Sequence, residues 1–510
     1  MTNGNAAVYF VDRHVDEGRA DKTAFREADG ARRSLSYGEL KDQAGQFAGA
    51  LIRAGVRREE RMAMIVRDQI EFPVAFFGAM KAGVIPIPIN TLLATPVYET
   101  ILFDCRASIL IVSAPLWEVV KPAIKGNPYL RKIVVIGEAA DGTTEFQKFV
   151  KDAPIEGTVD AHSDELAFWL YSSGSTGAPK GVRHIHSSMK ATADTFGAQV
   201  LGIREDDVIF SAAKFFFAYG LGNAVSFPMS VGATTVIFSG RPTPDAMFDV
   251  MANEKPTLFC GVPTLFAALV AEQEKRGGKP EHSIRLCTSA GEALPRDIGE
   301  RWEGLWGCQI VDGVGSTEML HIFLSNAPGD IVYGTSGMAV PGYEVRLVDE
   351  SDEDVSQGEV GEMLVRGPSS AEGYWNRRDK SQSTFQGHWT RTGDKYEQDD
   401  SGRYVYCGRT DDMFKVSGIW VSPFEVEQTL VEYPGVLEAA VVAKTDDKQL
   451  IKPAAFVVMK EGEAHPDQDA LKEFVKEKIG MWKYPRWVSF VDDLPKTATG
   501  KIQRFKLRDQ

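Results

Sequence analysis

The residues best suited to chemistry form a loop rich in glycine and hydroxyl groups at residues 171–181, with the sequence YSSGSTGAPKG. Glycine lets backbone N–H groups approach an anion, hydroxyl groups add hydrogen-bond donors, and a lysine adds positive charge. The spacing differs from the Walker A pattern G-x-x-x-x-G-K-[ST], and a flexible surface turn is the alternative interpretation. The loop predicts a phosphate-binding site formed by Ser172, Ser173, Gly174, Ser175, Thr176, Gly177 and Lys180.

This loop resembles the signature of the acyl-adenylate-forming enzymes, which include acyl- and aryl-CoA synthetases, peptide-synthetase adenylation domains and firefly luciferase. Other segments resemble the remaining motifs of that family in the same order, and the resemblance extends from about residue 22 to residue 504. The sequence departs from the family pattern at Val314, where the family often has a tyrosine that stacks on adenine. The motif segments are residues 289–295, 312–318, 391–394, 408–418 and 495–504.

The resemblance implies that a carboxylate attacks the α-phosphate of MgATP, and that the thiol of coenzyme A then attacks the resulting acyl-adenylate. It implies catalytic roles for Lys501, Lys180, Glu318 and Thr176. Glu318 and Thr176 would hold Mg2+, for which hard oxygen ligands are suited. Contacts to the nucleotide are implied, besides the loop, for Gly291, Glu292, Ala293, Asp312, Gly313, Thr317, Asp394 and Arg409.

An aromatic segment at residues 214–223, KFFFAYGLGN, predicts a flat slot for a ring. Together with the segment HIF at residues 321–323, it resembles the benzoate-CoA ligase group of the family. The predicted acid-binding residues are Ala218, Tyr219, Gly291, His321, Ile322 and Lys501, while Phe215–Phe217 are interpreted as core. The acid could instead be 4-hydroxybenzoate, an aminobenzoate or a heteroaryl acid. A carrier-protein-loading adenylation enzyme and a non-catalytic nucleotide-binding module are alternatives of other kinds.

The resemblance also implies that a C-terminal domain rotates about Asp411 between the two half-reactions. Lys415, Ser417 and Gly418 would then help to form a tunnel for the thiol arm of coenzyme A. Near residue 409, short strands between glycine-rich turns give way to a pattern of helices and strands. This change independently predicts a domain boundary there. We therefore expect an adenylation domain at residues 1–409 and a mobile domain at residues 410–510.

The elements that must position these residues alternate between apolar strand-like runs and amphipathic helices, which is typical of an α/β fold. A helix is predicted from Ser36, where Ser36 and Glu39 form a capping box, to a stop at Gly55. We expect two sheets covered on both faces and a small β-barrel-like unit, followed by a small α+β domain. The predicted strands are 62–66, 109–112, 133–136, 166–171, 234–238 and 257–259, with short antiparallel strands at 344–348, 362–366 and 404–406.

The composition excludes several other functions. The 510 residues carry a net charge of -14, which argues against binding of nucleic acid or an anionic membrane surface. The five cysteines are scattered and never spaced C-x-x-C, which favours a reducing, cytoplasmic location without structural zinc. No apolar signal segment or membrane span is recognisable. The sequence leaves open whether the protein is a monomer or a homodimer.

Overall fold

The computed structural model describes residues 3–173, 179–410, 412–416, 419–447, 450–496 and 502–508. The chain divides into two compact units. The first contains residues 1–344 and 365–390, and the second contains residues 345–364 and 391–510. The boundary that the sequence suggests between residues 409 and 410 remains a prediction.

The larger sheet of the first unit is mixed, with nine strands among the described residues. Its six central strands are parallel, and the strands at its two edges are antiparallel. Because the carboxyl ends of parallel strands meet at one edge, this sheet brings together the loops that follow its strands. In spatial order the strands are Met338–Ala339, Ile322–Ser325, Ile310–Gly315, Leu286–Ser289, Leu258–Gly261, Val208–Ser211, Thr234–Ile237, Thr23–Glu27 and Ser34–Ser36.

A second sheet of the same unit is entirely parallel across the five strands that the structure describes. Its strands Ile85–Pro88 and Ile109–Ser113 are buried along their whole length, as expected for a sheet covered on both faces. The α/β fold class predicted from the sequence is confirmed. In spatial order the strands are Ile85–Pro88, Arg61–Ile65, Ile109–Ser113, Lys132–Ile136 and Thr144–Glu145.

The predicted capping box begins the longest described helix of the first unit, Tyr37–Arg53. The Ser36 hydroxyl accepts a hydrogen bond from the Glu39 N–H, and the Glu39 carboxylate accepts one from the Ser36 N–H. Gly55 follows with a φ of 74°, in agreement with the predicted stop. The other helical segments of this unit are Val8–Asp12, Arg13–Asp16, Glu71–Lys81, Thr95–Cys105, Ala114–Leu116, Trp117–Val120, Lys121–Ile124, Phe146–Val150, His186–Thr192, Ala193–Val200, Ala218–Leu221, Gly222–Ser226, Phe227–Val231, Pro244–Glu254, Pro263–Arg276, Arg296–Trp306 and Arg378–Thr384.

Short strands occur in the part of the chain where glycine-rich turns separate short alternating runs. The predicted antiparallel strands are observed at Glu344–Val348, Gly361–Arg366 and Tyr404–Arg409. Phe385–Gln386 and Trp389–Gln398 are strands that the sequence did not predict, and they form a short hairpin in which Gln386 is opposite Trp389 next to the turn.

The C-terminal part of the second unit is α+β, as predicted. Strands Val436–Thr445, Ile451–Met459 and Trp487–Phe490 form a sheet, and Phe414–Val416 pairs with Ile419–Val421. The Ser422 hydroxyl accepts a hydrogen bond from the Glu425 N–H at the start of the helix Pro423–Val431. That helix and the helix Gln468–Ile479 pack on the sheet through a buried aliphatic cluster. A one-turn helix spans Arg504–Lys506. None of the helices in the described residues combines the length and hydropathy that crossing a membrane requires.

Candidate active site

The strands that flank the predicted phosphate loop form an antiparallel hairpin. Leu166–Ser173 pairs with Pro179–Ile185 so that Ser172 is opposite Lys180. The residues that enter and leave the loop are therefore held side by side. The loop residues Gly174, Ser175, Thr176 and Gly177, and the side chain of Ser173, lie outside the described residues.

A polar cluster joins this hairpin to Glu318. The Tyr374 hydroxyl donates a hydrogen bond of 2.8 Å to Glu318 Oε1, and the Ser172 hydroxyl donates one of 3.3 Å to the same oxygen. Lys180 Nζ donates to the Tyr374 hydroxyl at 3.4 Å and lies 4.4 Å from the centre of the Tyr374 ring. The structure thus brings together three residues that the sequence singled out, and it adds Tyr374.

Asp312 lies at the carboxyl edge of the larger sheet. The parallel pairing places Asp312 opposite Ser289, the first residue of the segment predicted to line adenine. Asp312 is 6% exposed, and burial raises the pKa of its carboxyl to about 8. Its Oδ2 accepts a long hydrogen bond, 3.5 Å, from the Leu294 N–H. Asp312 is therefore a neutral carboxylic acid near pH 7, able to donate as well as accept a hydrogen bond.

The other predicted nucleotide contacts of the first unit lie in, or shortly after, the strands Leu286–Ser289 and Ile310–Gly315. Gly291 has a φ of 98°, which favours glycine, and Glu292 and Ala293 follow it. A β-carbon on Gly313 would lie 2.8 Å from the Leu324 carbonyl oxygen, so residue 313 has no room for a side chain. The Thr317 carbonyl oxygen accepts a hydrogen bond of 2.8 Å from His184 Nε2.

The predicted acid pocket is built from the helical turn Ala218–Leu221 and from His321. The Tyr219 hydroxyl donates to the Thr288 carbonyl oxygen at 2.9 Å, and His321 Nε2 donates to the Tyr219 carbonyl oxygen at 3.3 Å. The ring centres of Tyr219 and His321 are 5.6 Å apart. Ile322, next to His321, is fully buried. The side chains predicted from the 214–223 and 321–323 segments therefore converge.

His321 is enclosed by aromatic rings. Its ring centre lies 5.4 Å from that of Phe196 and 4.5 Å from that of Phe227, and the side chain is 3% exposed. Burial lowers the pKa of His321 to about 3, so the imidazole is neutral. Of the residues interpreted as core, Phe215 and Phe216 are buried and Phe217 is half-buried.

A tight turn links the acid pocket to the polar cluster. The Leu320 N–H donates to the Thr317 carbonyl oxygen and the His321 N–H donates to the Met319 carbonyl oxygen. Leu320 has a φ of 64°, an unusual value for a side chain of its size. Glu318 of the polar cluster and His321 of the predicted acid pocket are therefore only three residues apart in the chain.

Asp394 and Arg409 belong to the second unit. They face each other across the strands Trp389–Gln398 and Tyr404–Arg409, and Arg409 Nη1 donates to Asp394 Oδ1 at 3.0 Å. Lys415 is exposed and forms an ion pair of 3.0 Å with Glu350 of the same unit. Four other predicted residues, namely Asp411, Ser417, Gly418 and Lys501, lie outside the described residues.

Glu318 is the described residue that the sequence predicts as a ligand of Mg2+. Among the described residues, no group of three or more His, Cys, Asp or Glu side chains could hold a metal ion. Glu318 offers one carboxylate beside Lys180. A single carboxylate fits Mg2+ that arrives with substrate phosphates and keeps several waters, rather than a site made only of protein ligands.

Sequence reasoning missed two residues of these groups. Tyr374 lies in the segment Gly373-Tyr-Trp375, whose residue types indicate no particular chemistry. Asn223 lies four residues after Tyr219, is 1% exposed, and neither of its amide atoms has a hydrogen-bond partner among the described residues. Its position in a motif-like segment was visible, but its unpaired amide required the structure.

The chain matches the models of two domains of one protein family. Residues 11–375 match the model of the AMP-binding enzyme family, and residues 425–501 match its C-terminal domain. The chain belongs to the AMP-binding enzyme family. The family resemblance expected from the sequence motifs is thereby confirmed.

This AMP-binding enzyme has curated relatives along nearly its whole length. It is 50% identical over 509 residues to a 4-hydroxybenzoate-CoA/benzoate-CoA ligase of Rhodopseudomonas palustris, covering 99% of this chain and 94% of that protein. It is 49% identical over 510 residues to a benzoate-CoA ligase of Thauera aromatica, with 99% and 95% covered.

Two solved structures are also similar to this chain over its whole length. A benzoate CoA ligase from Burkholderia xenovorans LB400 matches with a TM-score of 0.90 and 47% identity, covering all of both chains. An anthranilate CoA ligase in complex with anthranoyl-AMP matches with a TM-score of 0.92 and 42% identity, covering 100% of this chain and 97% of that one.

Proposed function

We propose that the protein is an ATP-dependent aryl-CoA ligase that converts benzoate, or a small ring-substituted benzoate, to its CoA thioester. The products would be AMP and pyrophosphate. The observation that carries this proposal is the turn at residues 317–321, with Glu318 in a cluster with Lys180 and His321 in an aromatic pocket. A phosphate-binding group and an apolar slot for a ring are what an aryl-adenylate requires on its two sides. Relatives about 50% identical are named benzoate-CoA ligases.

In the first half-reaction, a benzoate oxygen would attack the α-phosphorus of ATP and displace pyrophosphate. Two anions must be held together, so the site needs cations and directed hydrogen-bond donors. We assign the β- and γ-phosphates to Lys180 and the hydroxyl-rich loop. Lys501 would contact the α-phosphate and the carboxylate. Bound Mg2+, held by Glu318 and Thr176, would neutralise phosphate charge.

The family resemblance assigns further residues to the nucleotide. The segment Gly291–Ala293, with Asp312, Gly313 and Thr317, is assigned to adenine and its surroundings. The neutral carboxyl of Asp312 supports this role, because it can donate to a ring nitrogen. Asp394 is assigned to the ribose hydroxyls, for which a carboxylate is a suitable acceptor. Arg409 would orient Asp394 through their 3.0 Å hydrogen bond.

In the second half-reaction, the thiol of coenzyme A would attack the carbonyl carbon of the adenylate and release AMP. We propose that a domain beginning at residue 410 turns about Asp411 between the two steps. Lys415, Ser417 and Gly418 would then border the path of the thiol arm. This proposal is supported by the family resemblance of residues 408–418 and by the separate match of residues 425–501 to the C-terminal domain model.

The acid is proposed to lie against Ala218, Tyr219, Gly291, His321 and Ile322. A second candidate substrate is a benzoate with a polar substituent. It is favoured by the unpaired Nδ1 of His321 and the unpaired amide of Asn223, both buried and without hydrogen-bond partners in the described part of the chain. A ring hydroxyl or amino group could satisfy them, since buried polar groups are normally paired.

A panel of acids tests the function. Pyrophosphate exchange and CoA thioester formation would be measured with benzoate, 3- and 4-hydroxybenzoate, 2-aminobenzoate, a heteroaryl acid and acetate. We expect both activities with benzoate and none above background with acetate. Exchange without thioester formation from free CoA would favour a carrier-protein-loading enzyme. Absence of exchange with every acid would contradict the proposal.

We also propose a cytoplasmic location. All five cysteines are free thiols and buried, which suits a reducing compartment. A homodimer is a hypothesis that light scattering of the purified protein would test.

A further inference from the structure

Tyr374 occupies the centre of the polar cluster and connects its two charged members. Its hydroxyl donates to Glu318 Oε1 at 2.8 Å and accepts from Lys180 Nζ at 3.4 Å. We propose that Tyr374 is a positioning residue that orients the Glu318 carboxylate and the Lys180 ammonium group for MgATP. This inference rests on the proposed function, because it takes MgATP as the ligand of the cluster.

The backbone around Tyr374 is tied to both partners. The Trp375 N–H donates to the Gly181 carbonyl oxygen at 2.8 Å, next to Lys180, and Tyr374 forms a β-bridge with Val182. The Ala371 N–H donates to the Glu318 carbonyl oxygen at 2.8 Å. One short segment therefore fixes the main chain of the lysine and the main chain of the glutamate relative to the phenol ring.

The phenol itself is held in place. Tyr374 is 5% exposed, and its ring packs on Phe385 with centres 5.3 Å apart. Its N–H donates to the Ser381 hydroxyl at 3.0 Å. A side chain that is buried and braced in this way can set the geometry of its neighbours, which is the condition for a preorganised site.

The two side-chain hydrogen bonds to the Glu318 carboxylate meet at one of its two oxygens. Tyr374 and Ser172 both donate to Oε1. These two bonds restrict the rotation of the carboxylate group. The neutral phenol hydroxyl lies within hydrogen-bond distance of both charged groups and so links the ammonium group to the carboxylate. In the proposed complex Lys180 would contact a phosphate oxygen and Glu318 would contact the cation.

The variant Tyr374→Phe keeps the ring, and with it the packing and the cation–π contact, but removes the hydroxyl. Binding of ATP would be measured by calorimetry with Mg2+ and with EDTA, and kinetics would be measured for MgATP and benzoate. We expect the Kd and KM for MgATP to rise about tenfold, as for loss of a hydrogen bond to a charged group. The KM for benzoate should change little, and the affinity for ATP in EDTA should fall less than that for MgATP, because without Mg2+ only the contact between Lys180 and the phosphates is disturbed. Tyr98→Phe is the matched control, because its buried hydroxyl donates to the Asn90 carbonyl oxygen.

Tyr374→Leu removes the ring as well as the hydroxyl. Comparison with Tyr374→Phe therefore separates the contribution of the ring from that of the hydroxyl. If Tyr374→Phe binds MgATP like the wild type and only Tyr374→Leu is impaired, the ring matters for packing and the proposed role of the hydroxyl is wrong. An equal loss for ATP with Mg2+ and with EDTA, or an equal rise in the KM for benzoate, would also overturn it. Failure of the wild-type protein to bind MgATP would instead contradict the proposed function on which the inference rests.

Discussion

Replacing Gly222 with alanine tests whether His321 is a fixed wall of the acid pocket. A β-carbon at residue 222 would lie 2.2 Å from Cδ2 and 2.6 Å from Nε2 of His321. These distances are well inside van der Waals contact. Phe196 and Phe227 enclose the imidazole. The ring has little room to move toward these two side chains, and we expect it to shift into the space proposed for the acid.

Two opposing effects determine how much Gly222→Ala changes the stability of the protein and kcat/KM for benzoate. In a helix, replacing glycine with alanine normally stabilises by about 1 kcal/mol, whereas overpacking a full core costs about 1–3 kcal/mol. If that strain appears in the pocket, kcat/KM for benzoate falls by about 5- to 150-fold, since 1.4 kcal/mol corresponds to a factor of ten. We expect the KM for benzoate to rise and the KM for MgATP to stay within about twofold of the wild type.

Gly304→Ala provides the matched control. Gly304 lies in the helix Arg296–Trp306, and a β-carbon there would meet no atom within 4 Å. We expect wild-type kinetics and a melting temperature higher by about 1 °C. If Gly222→Ala is folded and retains wild-type kinetics for benzoate, His321 does not bound the acid site and the pocket is assigned wrongly.

Three further predictions concern other parts of the site. Asp312→Asn should become more stable relative to the wild type as the pH rises from 5 to 8, by up to about 1.4 kcal/mol per pH unit, because the unfolded Asp312 ionises near pH 4 and the folded one only near pH 8. Urea unfolding at several pH values measures this, and a pH-independent difference would contradict the neutral carboxyl. Lys501→Ala should reduce adenylate formation by at least about 100-fold yet largely spare thioester formation from supplied benzoyl-adenylate, with Lys506→Ala as control. An equal loss in both half-reactions would refute the division of roles. Asp411→Pro should impair the thiol step more than pyrophosphate exchange, and equal impairment of both would argue against a hinge.

Local signals in the sequence were sufficient for many elements of the fold. The capping box at Ser36 and the cap at Ser422 work through residues three positions apart, so they are visible in any short window. Apolar runs such as 109–112 match the observed strand Ile109–Ser113 because a doubly covered parallel strand is apolar on both faces. The strand Trp389–Gln398 was missed because its residues are mostly polar and half-buried, which weakens the hydrophobic signal.

The site was predictable in residue type but not in its contacts. Motif resemblance selected Lys180 and Glu318, which are 138 positions apart in the chain, yet nothing in the sequence indicates that Tyr374 lies between them. The neutral state of Asp312 likewise depends on burial beneath neighbouring strands, which a motif does not report. Long-range packing and desolvation are properties of the folded chain, and they account for most of what sequence reasoning missed.

Oxygen transfer from benzoate to AMP is the most direct test of adenylate chemistry in this protein. The purified enzyme would be incubated with benzoate labelled with 18O in both carboxylate oxygens, together with MgATP and coenzyme A, and AMP and pyrophosphate would be examined by mass spectrometry. If a carboxylate oxygen attacks the α-phosphorus and leaves with AMP, each AMP formed carries one 18O and pyrophosphate carries none. Unlabelled AMP, or label in a phosphate product, would show that the acid is not activated as an acyl-adenylate.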